Sequence, residues 1–206
     1  MKESFWGSKG QVPGTEQPKS EILVHEPAIM KQVNNRIYFY AEIYRDHILQ
    51  LNQALREQSN TIQYTAKTNS VEIVTPIFLH INSYGGNIFA GLAAMDEILK
   101  CGVDVITVID GCCASAATFL SVVGKKRYIN RHAFMLIHQL SSMMWGKYEE
   151  FKDEIQNLDR LMVMIKEVYR EYTKVPEKEL DGILKHDLWF GAKTCLEYSL
   201  VDEIIT

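Results

Sequence analysis

The sequence predicts an α/β fold with a largely parallel sheet, and three observations support this prediction. Short apolar runs typical of buried strands alternate along the chain with longer stretches of helical periodicity. Two of the strand-like runs, 77–81 and 103–109, end in turns of glycine or other small residues that lead into a helical stretch. This order is typical of parallel sheets, in which ligand sites gather at the carboxyl ends of the strands. With 206 residues and a hydrophobic content of 47%, the chain is also long enough to bury one substantial core.

The individual elements are predicted in chain order from the spacing of apolar residues. Residues 1–20 are rich in Gly, Pro, Ser, Lys and Glu, so we expect 1–30 to form a flexible arm or a removable leader. The domain itself is predicted over 31–206. Strands are predicted at 37–40, 77–81 and 103–109, and helices at 47–56, 88–100, 116–123 and 177–184.

Two longer segments need separate interpretation. Segment 61–74 alternates polar with apolar or aromatic residues, which predicts a β-hairpin or extended loop inserted between the first helix and the next strand. Segment 148–174 carries apolar residues at steps of three and four on an otherwise charged background, which predicts one long amphipathic helix. The apolar stripe of such a helix packs either on the core or against a second subunit.

Composition argues against two classes of function. The net charge of −4 and the isoelectric point near 5.9 give no support for nucleic-acid binding, which usually shows a basic patch. The short basic cluster at 125–127 is predicted to be a solvated turn. No stretch approaches the roughly 20 apolar residues that span a bilayer, and the first 20 residues lack the apolar core of a signal peptide. We therefore expect a cytoplasmic location.

The four cysteines show no spacing typical of a metal site. Cys112 and Cys113 are adjacent, while Cys101 and Cys195 stand alone, so we expect small buried side chains in a reducing compartment. Cys113 is a possible nucleophile, but Ser115 has the better position in the turn. No metal or organic cofactor is expected.

The turn at 111–117, with the sequence Gly-Cys-Cys-Ala-Ser-Ala-Ala, carries the strongest functional signal. Ser115 lies between a strand and a helix, where free backbone amides and the helix dipole favour a developing anion. His138 follows in an apolar run, Asp187 is an acidic candidate further on, and a glycine turn at 85–86 precedes all three. A nucleophile, a base, an orienting acid and an anion site are the components of acyl-transfer catalysis, so the sequence predicts a serine peptidase.

Each of these residues also has a simpler interpretation. A serine before a helix is most often an N-cap, and a histidine in an apolar run is usually a hydrogen-bonded core residue. Asp187 could cap a turn, in which case Asp181 or Asp202 would be the acid.

Four motifs then occur in one order along the chain. They are Ile81-Asn82-Ser83-Tyr84-Gly85-Gly86, Gly111-x-x-Ala114-Ser115, Met135-x-Ile137-His138-Gln139 and Glu197-Tyr198-x-Leu200-Val201-Asp202. In their order and spacing the chain resembles the Clp protease proteolytic subunit (ClpP) family of the crotonase-like superfamily, from about residue 37 to the C-terminus without 61–74. The resemblance implies a single ClpP/crotonase-like domain of repeated β-β-α units with a protruding long helix.

The resemblance also implies roles for particular residues. Ser115 would be the nucleophile, His138 the general base and Asp187 the acid that orients the histidine. The backbone amides of Gly86 and Ala116 would form the oxyanion hole. An extended peptide would pair with the backbone of strands at Asn87, Ile88, Ser141, Ser142 and Met143.

In the family, the long helix interdigitates between two stacked heptameric rings, so the resemblance implies a homo-oligomer, a tetradecamer that encloses the active sites. The substrates would be unfolded polypeptides, and ATP would be used only by a separate AAA+ unfoldase. No nucleic acid or membrane partner is implied.

The chain departs from the family pattern near the active site and in the unfoldase-docking groove. Tyr84 and Leu140 stand where the family usually has proline, and Ala116 where it commonly has methionine. Alignment by the four motifs places the polar residues Lys100, Asp110 and Asn130 in the docking groove, which is normally apolar in the family. Phe78, Tyr128 and Ile205 remain suitable for binding a hydrophobic docking loop. Because polar groups are disfavoured in an apolar pocket, we expect an unusual unfoldase partner or none.

Three other functions stay open at this point. A crotonase-like acyl-CoA enzyme would share the fold but would not need Ser115 and His138 together. A serine–lysine peptidase would need a lysine at Ser115, and neither Lys125 nor Lys126 is assigned to it. A catalytically idle or partner-activated ring subunit would keep the fold without independent activity.

Overall fold

The computed structural model describes residues 30–70 and 74–206. The predicted arm, 1–30, lies outside the described residues apart from Met30. The strands are β1 (Met30–Val33), β2 (Arg36–Phe39), β3 (Ile77–Ser83), β4 (Val105–Ala114), β5 (Lys126–Asn130), β6 (Phe134–Leu136), β7 (Phe190–Gly191) and β8 (Glu203–Ile205). The helices are α1 (Arg45–Thr68), α2 (Ile88–Leu99), α3 (Ala117–Val122), α4 (Tyr148–Tyr172), α5 (Glu177–Leu184) and α6 (Ala192–Glu197).

The strands form one mixed sheet that is mostly parallel. Its main path has the order β1-β2-β3-β4-β5-β8, in which every pair after β1–β2 is parallel. The first half of β4 pairs with β5, while its last residues pair with β6, and β7 is antiparallel to β6. The predicted α/β class with a largely parallel sheet is confirmed.

The core is one cluster of buried apolar residues contributed by the sheet and by the helices α1 to α6. Alternate residues of β2 and β3, such as Phe39 and Leu79, are fully buried because successive strand side chains point to opposite faces. Leu51 and Leu55, one turn apart on α1, are also buried completely. This packing fixes the position of the carboxyl ends of β3 and β4. The glycine turn at 85–86 follows β3, and the turn that contains Ser115 follows β4.

The prediction of a hairpin or loop at 61–74 is wrong for residues 61–68, which continue α1. The alternation of Ile62 and Tyr64 suggested a strand, but Tyr64 is 72% exposed while Ile62 packs against the core. The side chain of Gln63 also donates to the Gly102 carbonyl at 2.7 Å. An α-helix therefore pairs the backbone amides and carbonyls of this segment. The inward-facing side chain of Ile62 supplies the apolar contact with the core.

The interpretation of 125–127 as a solvated turn is also wrong for its last two residues, which open β5. Arg127 forms an ion pair with Asp202 and donates to the carbonyls of Tyr172 and Ser199 at 2.6 and 2.9 Å. A strand of this kind has no apolar run to identify it, because Ile129 is its one fully buried side chain and Arg127 binds neighbouring loops.

The predicted long helix is present as α4, which begins with the Glu150 carboxylate accepting from the Lys147 backbone amide at 2.8 Å. Its apolar stripe is divided. Ile165 and Tyr169 in the C-terminal half are buried, whereas Ile155 in the N-terminal half is 58% exposed. Within the described ranges, no helix is both long and apolar enough to cross a membrane.

Candidate active site

Ser115 occupies a strained turn between β4 and α3. Its φ is 55°, in the left-handed region that is uncommon for residues other than glycine. The Ser115 amide donates to the Leu136 carbonyl at 2.8 Å, directly after the Ala114–Leu136 pairing of β4 with β6. Its carbonyl accepts from the Thr118 amide at 2.9 Å and from the Thr118 hydroxyl at 2.6 Å. The surrounding bonds thus hold the serine backbone in a conformation that it would rarely adopt alone.

The side chains of Ser115, His138 and Asp187 form one hydrogen-bonded chain. Ser115 Oγ lies 2.8 Å from His138 Nε2, and His138 Nδ1 lies 2.6 Å from Asp187 Oδ1. Because a carboxylate can only accept, Nδ1 carries the imidazole proton, and Nε2 is left to accept the serine hydroxyl proton. The structure therefore brings the three residues predicted for the triad into one array.

The loop that carries Asp187 is placed by two backbone contacts. The amide of Gln139, next to His138, donates to the Leu184 carbonyl at the end of α5. On the other side of the loop, Phe190 of β7 pairs with Met135 of β6. The loop between α5 and β7 must therefore pass the histidine, although the Asp187 side chain itself is 77% exposed.

The two other acidic candidates are bound elsewhere. Asp181 forms an ion pair with Lys166 at 2.6 Å, and Asp202 is paired with Arg127. The Lys166 ammonium holds the pKa of Asp181 below its usual range. Of the three acids considered in the sequence, only Asp187 hydrogen-bonds to His138.

The glycine turn after β3 is packed too tightly for any side chain. A Cβ on Gly85, where φ is 97°, would lie 2.6 Å from the Cβ of Ser115, and one on Gly86 would lie 2.6 Å from the Ile43 carbonyl oxygen. Ile43 and Gly86 form a parallel bridge. The Ile43 amide donates to the Gly85 carbonyl at 2.7 Å, and the Asn87 amide donates to the Ile43 carbonyl at 2.8 Å. The amide of Gly86 itself therefore points away from Ile43.

The Gly86 and Ala116 residues both border a cavity beside Ser115. Its volume is about 200 Å³, and His138 lies on its wall. Ala116 immediately precedes α3, so its amide belongs to the helix start that has no intrahelical acceptor. The residues that carry the two predicted backbone donors thus line the same small space as Ser115.

One part of the cavity wall is apolar. Phe119 of α3 and Ile165 and Tyr169 of α4 contribute side chains that are each at most 3% exposed. Such a wall suits an apolar side chain of a bound ligand, because it offers buried surface without competing charges.

The predicted substrate strands have a different local structure. Asn87 is the N-cap of α2, with its side chain accepting from the Ala90 amide at 2.9 Å, and Ile88 is the first residue of that helix. In the described stretch between β6 and α4, residues 137–147 form neither helix nor strand, so Ser141 and Ser142 are irregular and Met143 is 99% exposed. The prediction of strands at both places is therefore wrong. A backbone needs a partner to become a strand. The amide of Ile88, the first residue of α2, has no intrahelical acceptor and is a donor of the expected kind.

Cysteine chemistry is not supported at this site. Cys113 is completely buried on β4, and its burial raises the pKa of the thiol well above the ordinary value. The thiol therefore stays protonated and has no access to a substrate. Among the described residues, no group of three or more His, Cys, Asp or Glu side chains is arranged to hold a metal ion.

Two further residues at the site, Thr118 and Tyr169, are not identified by the sequence alone. Thr118 is fully buried and contacts both the Ser115 carbonyl and, at 2.7 Å, the Tyr169 hydroxyl. Burial raises the pKa of Tyr169, so this phenol keeps its proton. The three-residue spacing from Ser115 could have identified Thr118, but nothing in the sequence places a residue of the long helix behind the serine.

A second polar cluster lies on strands β2 to β5, away from the cavity. The carboxylate of Asp110 accepts from Tyr40 at 2.5 Å and from Asn130 at 2.9 Å, and His80 Nδ1 lies 3.0 Å from it. Arg36 Nη1 reaches His80 Nε2 at 2.9 Å. Burial would raise the pKa of Asp110, but the hydrogen bonds from His80, Tyr40 and Asn130 outweigh it and hold that pKa below its usual range.

Comparison with known proteins places the chain in a family. The Clp protease family matches residues 31–206. The ATP-dependent Clp protease proteolytic subunit of Chlorokybus atmophyticus is 29% identical over 180 residues, covering 85% of this chain and 80% of the relative. The ATP-dependent Clp protease proteolytic subunit 2 of Bifidobacterium longum is 35% identical over 132 residues, covering 63% and 64%.

The family match and the sheet together confirm the predicted ClpP/crotonase-like fold class. The matched region includes the serine turn, the histidine and the acidic loop as well as the long helix. The chain belongs to the Clp protease family.

Proposed function

We propose that the protein is a serine endopeptidase that hydrolyses unfolded polypeptides through an acyl-enzyme on Ser115. The observation that carries this proposal is the chain of contacts from Ser115 Oγ to His138 at 2.8 Å and on to Asp187 at 2.6 Å, beside a cavity lined by Gly86 and Ala116. Geometry of this kind defines the triad, whatever the order of its members in the sequence.

The proposed reaction follows from the donors and acceptors around Ser115. Oγ attacks the carbonyl carbon of the scissile bond while its proton passes to His138 Nε2. The amides of Gly86 and Ala116 donate to the oxygen that becomes negative, and removing one such donor in other enzymes costs a factor of about 10²–10³ in kcat. The C–N bond then breaks as His138 protonates the leaving amine. In the second half of the reaction, water attacks the acyl ester while His138 accepts its proton, and His138 then returns the proton to Ser115 Oγ as the ester bond breaks.

Substrate would be held in an extended form next to the cavity. The Ile88 amide and the irregular segment at 141–143 supply backbone groups that an extended peptide could pair with. Pairing of this kind would turn the irregular segment into a strand when a substrate is present. The apolar wall at Phe119 and Ile165 favours an apolar residue before the scissile bond.

The protein is proposed to act as a ring oligomer in the cytoplasm, with two heptameric rings stacked as a tetradecamer. The exposed apolar residues in the first half of α4, including Phe151 and Ile155, are a surface that a second subunit could cover. No cofactor is proposed for the chain itself. The relatives are named as ATP-dependent, and ATP would be used by a separate unfoldase.

An unusual unfoldase partner, or none, remains our proposal for this chain. Asp110 and Asn130 belong to the hydrogen-bonded cluster with Tyr40 and His80, so a docking loop would meet satisfied polar groups instead of apolar surface. Lys100 follows α2 as its C-cap and pairs with Asp96 at 3.6 Å.

The test is labelling of the purified chain with a fluorophosphonate probe, read by intact mass and peptide mapping. We expect one adduct, on Ser115, which is lost in Ser115→Ala and His138→Ala. Cleavage of fluorogenic peptides should be lost in the same variants. An adduct that persists in Ser115→Ala would contradict the proposal. Absence of any adduct on a chain that forms a stable ring by light scattering would instead support an idle or partner-activated subunit.

A further inference from the structure

Two buried hydroxyl groups lie behind the nucleophile and have no part in the proton transfers described above. The side chains of Thr118 and Tyr169 are 0% and 1% exposed, yet both carry polar hydrogens. Buried hydroxyls are stable only when hydrogen-bonded, so their partners are informative. Each is bonded to the other, and Thr118 is bonded to the backbone of Ser115.

The direction of these bonds is fixed by the number of hydrogens. Thr118 has one hydroxyl hydrogen, and its Oγ1 lies 2.6 Å from the Ser115 carbonyl oxygen, which can only accept. In the 2.7 Å contact between the two hydroxyls, Tyr169 must therefore be the donor. The result is a one-way chain from Tyr169 O–H to Thr118 O–H to Ser115 C=O, in which each bond polarises the next.

The acceptor of this chain is half of the peptide unit that carries a proposed oxyanion donor. The carbonyl of Ser115 and the amide of Ala116 belong to the same planar peptide, and in a trans peptide they point in opposite directions. A bond that fixes the carbonyl also fixes the N–H. The restraint matters because Ser115 has a φ of 55°, a conformation that the unrestrained backbone would tend to leave.

We propose that Thr118 and Tyr169 are positioning residues that hold the Ser115–Ala116 peptide so that the Ala116 amide stays directed at the oxyanion. The inference rests on the proposed function and deepens it. Since Tyr169 lies on α4 and Thr118 on α3, the seating of the long helix then sets the geometry of the oxyanion hole.

The test compares variants that remove single hydroxyls with little change of shape. Thr118→Val should lower kcat for a fluorogenic peptide about tenfold, which corresponds to about 1.4 kcal/mol of transition-state stabilisation, with KM unchanged. Tyr169→Phe should lower kcat about threefold. Thr118→Ser should restore it to within about twofold of wild type. The double variant should be no slower than Thr118→Val, because the two hydroxyls act in series.

Thr107 offers a matched control. Its side chain is also fully buried, and its hydroxyl donates at 2.8 Å to the Ser121 carbonyl near the other end of α3. Thr107→Val removes a comparable bond from the same helix, so it should lower the melting temperature while kcat stays at the wild-type value.

Several outcomes would overturn the inference. These are an unchanged kcat in Thr118→Val, an equal loss in Thr107→Val, or no restoration in Thr118→Ser. If Thr118→Val does not fold, Tyr169→Phe becomes the test, because it removes a single oxygen atom from the side chain. An unchanged kcat in Tyr169→Phe is then sufficient to reject the proposal. Failure of the proposed function is recognised separately, since the wild-type chain would then show no labelling of Ser115.

Discussion

Two histidine–aspartate pairs occur among the residues that the structure describes, and they differ in what the second imidazole nitrogen faces. In both pairs Nδ1 is bonded to a carboxylate, at 2.6 Å for His138 with Asp187 and at 3.0 Å for His80 with Asp110. His138 Nε2 faces the hydroxyl of Ser115 at the edge of a cavity. The first pair is therefore open to a substrate on one side.

The second pair is closed on both sides. Arg36 can only donate, so its 2.9 Å contact uses the lone pair of His80 Nε2. Tyr38 stacks on the imidazole at 4.5 Å between ring centroids, and His80 is only 9% exposed. A His–Asp pair is therefore by itself a structural unit, and the group at the second nitrogen gives it a chemical use.

The strongest test of this difference replaces each histidine by glutamine. His138→Gln should lower kcat by about 10⁴-fold or more, because it removes the base that contacts Ser115 Oγ. His80→Gln should keep kcat within about twofold but destabilise the fold by about 1–3 kcal/mol, since it disrupts a buried hydrogen-bonded group. Peptidase kinetics and urea unfolding measure the two effects. Equal losses of activity in both variants would remove the distinction.

A smaller effect is expected when the acids are changed to asparagine. Asp187→Asn should lower kcat by about 10³-fold, because the amide can donate to Nδ1 and so favour the wrong tautomer of His138. The matched variant Asp110→Asn should leave kcat near the wild-type value. Because the Asp187 side chain is 77% exposed, solvent can replace part of its role in orienting His138. A loss of kcat larger than that of His138→Gln would contradict this account.

The smallest effect concerns stability at low pH. The pKa of Asp110 is lower in the folded than in the unfolded chain, so the carboxylate stabilises the fold fully above the unfolded pKa of about 3.9 and loses that contribution as pH falls through the lower folded value. Asp110→Asn should therefore be less stable than wild type at pH 7 by about 1–2 kcal/mol, with the difference shrinking towards pH 2. Urea denaturation at several pH values measures this. A difference that grows as the pH falls would show that the sign is wrong.

The sequence was sufficient for the features that depend on local pattern. The strands at β3 and β4, the helices α2, α4 and α5 and the turn at Ser115 all follow from apolar spacing and small residues that are adjacent in the chain. The short strands β1 and β5 to β8 were not predicted, because two to five residues are too few to show a period. Segment 61–68 was misread since its alternation fits a strand as well as a helix that packs on one side.

The types of residue and their order follow from the sequence alone, including a serine at the start of a helix and two glycines where no side chain fits. Tertiary structure decided which groups meet. Asp187 reaches His138 only because β7 pairs with β6, and Tyr169 reaches Thr118 only because α4 packs on α3. Contacts between residues 49 and 51 positions apart arise from the packing of whole elements, and no local pattern of side chains encodes them.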